Sequence, residues 1–416
     1  MRRMKIIAVI IGIAVALSGC GRSGGRKPAD KGPAEVELVM WLVGSEAQAQ
    51  AINALAEDFY AETKIKARCE SIAWGDAHSK YLTSIAGGGA PDIGTMGLTW
   101  GTEFGSLGAV VDLKAAYPEE MQEIKNMVFT GMWESIEYKG HVFGIPFDMT
   151  EHILYYRSDI IPEPPTTWAD LTSLLTRLNQ ENMGMIFDWG SMSWIGYSPF
   201  LWQAGGDYYD AAFSEVTVNS PEAVAALTFF LELYTRYRVP KTSIPVEQGM
   251  RSGEFPIAIS GNWKIQGLTL GAPEIAGKWT IASLPTGPSD KKTAFLGGRI
   301  MGIFAQSKHK DEAWQFIKFL FRPDSQERLY EDAIKKQDAY LPPNLMSWDR
   351  LKMDAAFKDV LMRQARDAKG PPPIANWDTC TKFIDEAIQK VILQNADPKA
   401  ELDKAKNELT KLLKAK

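Results

Sequence analysis

The 416-residue chain is 45% hydrophobic, 11% aromatic and 23% charged, with a formal net charge of −5 and three cysteines. This is enough apolar material for about two folded domains, and the acidic balance argues against nucleic acid as a partner and against an electrostatic grip on anionic lipid. Four scattered histidines, His78, His141, His152 and His309, show no metal-ligand spacing and no phosphate-cradling loop is present, so neither a metal nor a cofactor is expected.

The chain opens MRRMKIIAVIIGIAVALSGC, with Arg2, Arg3 and Lys5 ahead of an uncharged apolar run from Ile6 to Leu17. That run is shorter than the roughly 20 residues of a spanning helix and has the layout of a secretory signal over residues 1–19. Leu17-Ser18-Gly19-Cys20 resembles the bacterial lipobox. The resemblance implies lipidation of Cys20, with the membrane reached through that anchor alone. Removing a leader with three positive and no negative charges would take the net charge from −5 to −8. Residues 20–34, rich in Gly, Ser, Lys and Pro, read as a flexible tether.

Residues 35–43 read as a strand, 46–62 as an amphipathic helix, 64–72 as a strand, and 76–86 as a helix before a glycine turn and a short strand at Asp92. Strand–helix alternation of this kind makes a parallel sheet. Lys139-Gly140 suggests a hairpin between WESIEY and HVFGIP. From about residue 150 the pattern restarts. HILYYRSD is a predicted strand, and Thr167 and Asp170 form a capping box ahead of a helix. Strands at 184–190, 255–260, 278–284 and 296–306 are interleaved with helices at 194–204 and 221–238. Five helices, 309–321, 324–336, 351–367, 378–394 and 398–416, fill the C-terminal third. The spacing of Cys69 and Cys380 leaves open whether they pair or stay as buried thiols.

Several stretches resemble the extracellular solute-binding proteins of bacterial ABC importers, in their maltose-binding-protein-like branch. They are YLTSIAGGGAPDIGTM, YKGHVFGIPFDMTEHILYYRSDII, PPTTWADL, RSGEFPIAISGNWKIQG and LGGRIMGIFAQSKHKDEAWQFIKFLFRPDSQ, in that order over most of residues 35–345. The resemblance implies an α/β, two-lobe, type II periplasmic-binding-protein-like fold, each lobe a mainly parallel sheet flanked by helices. Lobe one is expected over 35–147 and 299–345, and lobe two over 150–295 and 346–416, with a hinge near 148–150, 296–298 and 345. It also implies a carbohydrate ligand between the lobes, an ABC permease as partner, a monomer, and closure on binding.

Sugars present apolar C–H faces and hydroxyl edges, so a site for them needs flat rings with carboxylates, amides and Arg. Trp263, at the strand-to-helix corner Ser260-Gly261-Asn262-Trp263, is the leading candidate because strand carboxyl ends face the crevice. Asn262 offers a donor and an acceptor beside it. Trp41 is a cleft ring or a core ring under the first helix; Glu46 is a ligand or a first-turn carboxylate. Thr99 and Trp100 are placed on a loop edge. Asp148 and Glu151 bracket the first crossing, with Asp148 preferred. Trp194 and Tyr197 lie in an aromatic helix, part of which must be core. Gly297 and Gly298 allow close approach to backbone, and Arg299 can fork to hydroxyls or to an anion. Tyr340 and Trp377 sit in Pro-flanked segments. Asp92 reads as a structural turn carboxylate.

Other readings are a polyol, sugar phosphate or polyamine on the same scaffold, a glycoside hydrolase, or an adhesive lipoprotein. Asp148 and Glu151 are too local to flank a bond, and the one G-x-S-x-G match, at residues 21–25, falls in the tether. Catalysis is not expected.

Overall fold

The computed structural model describes residues 36–414; the predicted leader, Cys20 and the tether lie outside the described residues. β1 (Glu37–Val43) buries Leu38, Met40, Leu42 and Val43. Ser45 then caps α1 (Glu46–Thr63) by accepting the Gln48 N–H, and the helix lays Ile52, Leu55 and Phe59 on the sheet. β2 (Lys66–Ile72), α2 (Trp74–Gly87) and β3 (Ile93–Gly97) complete a parallel unit in which β1 lies between β2 and β3. Asp92 accepts from the Val39 N–H at 2.9 Å and from the Ser307 hydroxyl at 2.6 Å, so it ties the strand ends together.

The expected loop carrying Thr99 and Trp100 is instead a helix, α3 (Leu98–Ser106). Gly101 and Gly105 lower its helix propensity, and both are needed for packing. A Cβ on Gly105 would stand 2.5 Å from the Phe143 ring. α4 (Leu113–Ala116) and α5 (Pro118–Asn126) follow where no element was predicted, and then comes α6 (Thr130–Glu134). Residues 133–134 of the expected hairpin belong to α6. The hairpin is only β4 (Glu137–Tyr138) and β5 (His141–Val142), turning at Lys139 and Gly140 with φ of 51° and 85°.

β6 (Ile145–Arg157) is one buried 13-residue strand, seven residues longer at its start than predicted. It is followed by α7 (Trp168–Gln180), which starts with the expected capping box, then β7 (Met185–Phe187), α8 (Trp194–Gln203), α9 (Pro221–Thr235) and α10 (Val246–Ser252). β8 (Ile257–Gly261), α11 (Lys264–Gly271), β9 (Trp279–Ala282) and β10 (Leu296–Ile303) come next. α12 (Lys310–Phe321), α13 (Pro323–Lys335), α14 (Ala355–Arg366), α15 (Trp377–Gln394) and α16 (Pro398–Lys414) close the chain.

The strand order is β2-β1-β3-β10-β6-β8-β7, with β9 also paired to β6. Pairing is parallel at both ends and antiparallel in the middle. β6 changes partners along its length. Residues up to Glu151 pair with β10, His152–Tyr156 with β8 and Leu154–Arg157 also with β9. The same strand therefore serves both ends of the sheet. Beside the switch, the Leu341 carbonyl accepts the Met149 N–H at 3.0 Å. Residues 345–350 still pack on α13, through Ser347–Gln326 (2.9 Å) and Arg350–Glu327 (2.7 Å). α14 then packs on β6 and β9. Cys69 on β2 and Cys380 on α15 are both buried and form no disulfide; burial pushes the Cys69 thiol up to about 12.

Candidate functional site: a cavity between two aromatic walls

The carboxyl ends of β1, β3, β7 and β8 converge on one cavity of about 640 Å³, within the size range of small-molecule sites. One wall carries Trp74, opening α2, and Trp100 on α3, whose rings meet at 5.8 Å and 65°. The other carries Trp189 after β7, Trp194 at the start of α8, Trp263 after β8, and Phe295 before β10. Trp189 stands edge-on to Trp263 at 4.6 Å and to Phe295 at 5.1 Å. Trp263 packs against Gly261, where any Cβ would strike the indole, so the glycine before the corner lets the ring approach the backbone.

The floor is polar. Asp148 and Arg299 are 5% and 3% exposed, and Asp148 accepts from the Arg299 N–H at 2.8 Å, from its Nε at 3.0 Å and from Nη2. Nη1 donates to the Val43 carbonyl and to Gln48 Oε1 (2.9 Å), and the guanidinium covers the Phe147 ring at 4.9 Å. Gln48 also donates to Asp338 (3.2 Å) and to the Ala339 carbonyl (3.0 Å), and Ser45 donates to Asp338. Every charged group of the floor is thus held in a network, the arrangement a buried ion pair requires. Gly298, with φ of 142°, brings β10 so close to β6 that a Cβ would collide with the Asp148 carbonyl. Flat rings on two sides and fixed polar groups beneath can take an uncharged ligand with apolar faces and hydroxyl edges.

A family profile described as bacterial extracellular solute-binding protein matches residues 54–359. The chain belongs to that family. It is 25% identical over 396 residues to the maltotriose-binding protein of Pyrococcus abyssi, covering 90% of this chain and 82% of the relative. It is 23% identical over 397 residues to the diacetylchitobiose binding protein DasA of Streptomyces coelicolor, covering 91% and 90%. The solved structure of the sugar-binding protein MalE from Xanthomonas citri superposes with a TM-score of 0.82 at 22% identity, covering 91% and 98%. That likeness establishes the two-lobe α/β fold of type II. The chain is a binding protein of the maltose-binding-protein-like branch and not an enzyme.

In this solute-binding protein Trp100, Asp148, Trp194, Trp263, Gly298 and Arg299 all border the cavity. The other six expected site residues do not. Asn262 accepts the Glu151 N–H and donates its own N–H to the Glu151 carbonyl, both at 3.0 Å, so it fastens the strand switch. Trp41 faces α2, under Lys80 Nζ at 4.3 Å, and Glu46 takes the Ser71 hydroxyl on an exposed turn. Tyr197 is fully buried and donates to the Ala223 carbonyl at 2.8 Å. Tyr340 is buried and donates to the Phe147 carbonyl at 3.0 Å. Trp377 is fully buried behind Trp194 at 5.1 Å. The Pro-flanked segments turn both of these rings inward, which the sequence does not specify. Glu151 is also buried, and burial raises its carboxyl well above the ordinary range. Sequence reasoning missed Trp74, Trp189, Phe295, Gln48 and Asp338. Trp74 and Trp189 carry the signal that singled out Trp263, a Trp at the exit of a strand. Gln48 and Asp338 carry none.

Proposed function

We propose that the protein is a lipid-anchored receptor of an ABC importer that captures a sugar or oligosaccharide between its lobes and hands it to a membrane permease. The observation that carries this reading is the pair of aromatic walls facing one cavity at the strand ends. Relatives named for maltotriose and diacetylchitobiose binding support the ligand class. Lobe one comprises 36–147 and 299–350, carried past the expected end at 345 by the packing of residues 345–350 on α13, and lobe two comprises 150–295 and 355–414. Crossings at 148–150 and 296–298 run side by side in β6 and β10, and the packing of residues 345–350 on α13 supports a third crossing at 351–354. Export through residues 1–19, anchoring at Cys20 and a monomeric state complete the proposal.

Arg299 spends its donors on Asp148, Val43 and Gln48, which argues against a sugar phosphate as cargo. Melting the protein against mono- and oligosaccharides, polyols, sugar phosphates and polyamines tests the reading. One sugar class at a hundred times its Kd should stabilise the fold by about 2.7 kcal/mol, with no product after long incubation. A shift only with amines or phosphates, or hydrolysis of the sugar, would overturn it.

A further inference from the structure

One turn outside the cavity, three side chains from distant parts of the chain converge. His78 on α2 and Glu103 on α3 meet at 2.9 Å between Nε2 and Oε2. Asp378, in the first turn of α15, completes the group, and one ligand atom from each residue lies within 4.8 Å of the other two. All three are partly buried. The His78 ring is held by Trp100 at 5.1 Å and stacked on Phe104 at 5.7 Å. Among the described residues, no Lys or Arg pairs with Glu103 or Asp378. Glu103 holds the imidazole and Asp378 stands close beside the pair, with no fixed cation to neutralise either carboxylate among the described residues.

We propose that His78, Glu103 and Asp378 form a binding site for a divalent cation of zinc's class, and that the ion clamps α15 against α2 and α3 across the mouth of the cavity. One imidazole and two carboxylates, with water in the fourth position, make a tetrahedral zinc set. Magnesium and calcium prefer oxygen ligands in higher number, so the imidazole selects against them. Zinc–ligand bonds of about 2.0–2.1 Å place ligand atoms roughly 3.4 Å apart in a tetrahedron. The His78–Glu103 pair, at 2.9 Å, is already closer than that and would open slightly, while no atom of the trio lies more than 4.8 Å from another, so small side-chain shifts complete the set. Thr99 already donates to Asp378 at 3.2 Å, so the bridge exists in outline without the ion. Thr99 and Trp100 both border the cavity, so an ion that shifts either of them would alter the sugar site, and any such effect would be reciprocal. The aromatic shell of Trp100 and Phe104 limits water access to the ion. The coupling rests on the sugar-receptor reading above; the ion site does not.

Calorimetric titration of the purified, untagged protein with zinc chloride, without sugar, tests the site. One ion per chain is expected, and no heat with magnesium chloride. Asp378→Asn, which keeps side-chain size, and His78→Ala should each weaken zinc binding at least tenfold. Melting of both variants without zinc verifies that they are folded. No zinc binding, or binding unchanged in both folded variants, overturns the proposal. Since no sugar is present, that failure would leave the sugar reading standing, and a failed sugar screen would leave the ion site standing.

Discussion

Trp194 stands in the cavity wall because Asp385, on α15, accepts its backbone N–H at 2.7 Å and fixes the start of α8. Burial lifts the Asp385 carboxyl from 3.8 to about 6, against the lowering effect of that hydrogen bond. A carboxyl raised in the folded state favours folding in its protonated form. Its contribution is complete below the unfolded pKa and is lost as pH rises to the folded one. The melting temperature of the wild type should therefore lose ground to Asp385→Asn between pH 3.8 and about 6. Parallel melting curves across that range would refute the assignment. The ring positions around this residue show what a sequence yields. A Trp just past a strand faces the crevice in three places, 74, 189 and 263, because the strand ends open there. Rings inside helices or beside prolines go either way, Trp100 and Trp194 to the cavity and Tyr197, Tyr340 and Trp377 to the core, since their direction depends on how the helices pack.

At the scale of elements, the strands and amphipathic helices were legible because period-2 and period-3.6 burial is written in the residue order. α3 was not, because its glycines read as loop residues while serving close contact with Phe143 and Ile300. Nor was the length of β6, since a strand buried on both faces loses its alternation. The junction of β6 and β10 depends on Gly298. With φ of 142° and the Asp148 carbonyl against it, alanine would be strained in both conformation and space. Gly298→Ala should cost at least about 1–3 kcal/mol of stability, read from urea unfolding. An unchanged midpoint would mean that the two strands approach less closely than described.

For the whole molecule, one mixed sheet joins two α/β halves through β6 and β10, and the ligand cavity sits where the parallel strands of both halves end. The two-lobe class was readable from five stretches in family order. The floor of the site was not, because Gln48, Asp148, Arg299 and Asp338 meet only in three dimensions, with up to 290 residues between hydrogen-bond partners. The His78–Glu103–Asp378 group escaped for the same reason: its members come from three helices, so no spacing rule finds them.

The most direct measurement is calorimetric titration of the sugar that raises the melting temperature into the wild type, Trp74→Ala and Trp263→Ala. Trp74 is 52% exposed and Trp263 half-buried, so neither change should unfold the protein. If the ligand lies between the two walls, each variant loses about 2 kcal/mol or more of binding, roughly thirtyfold in Kd, with its melting temperature in the absence of sugar nearly unchanged. Full affinity in either folded variant would contradict a ligand held from both sides.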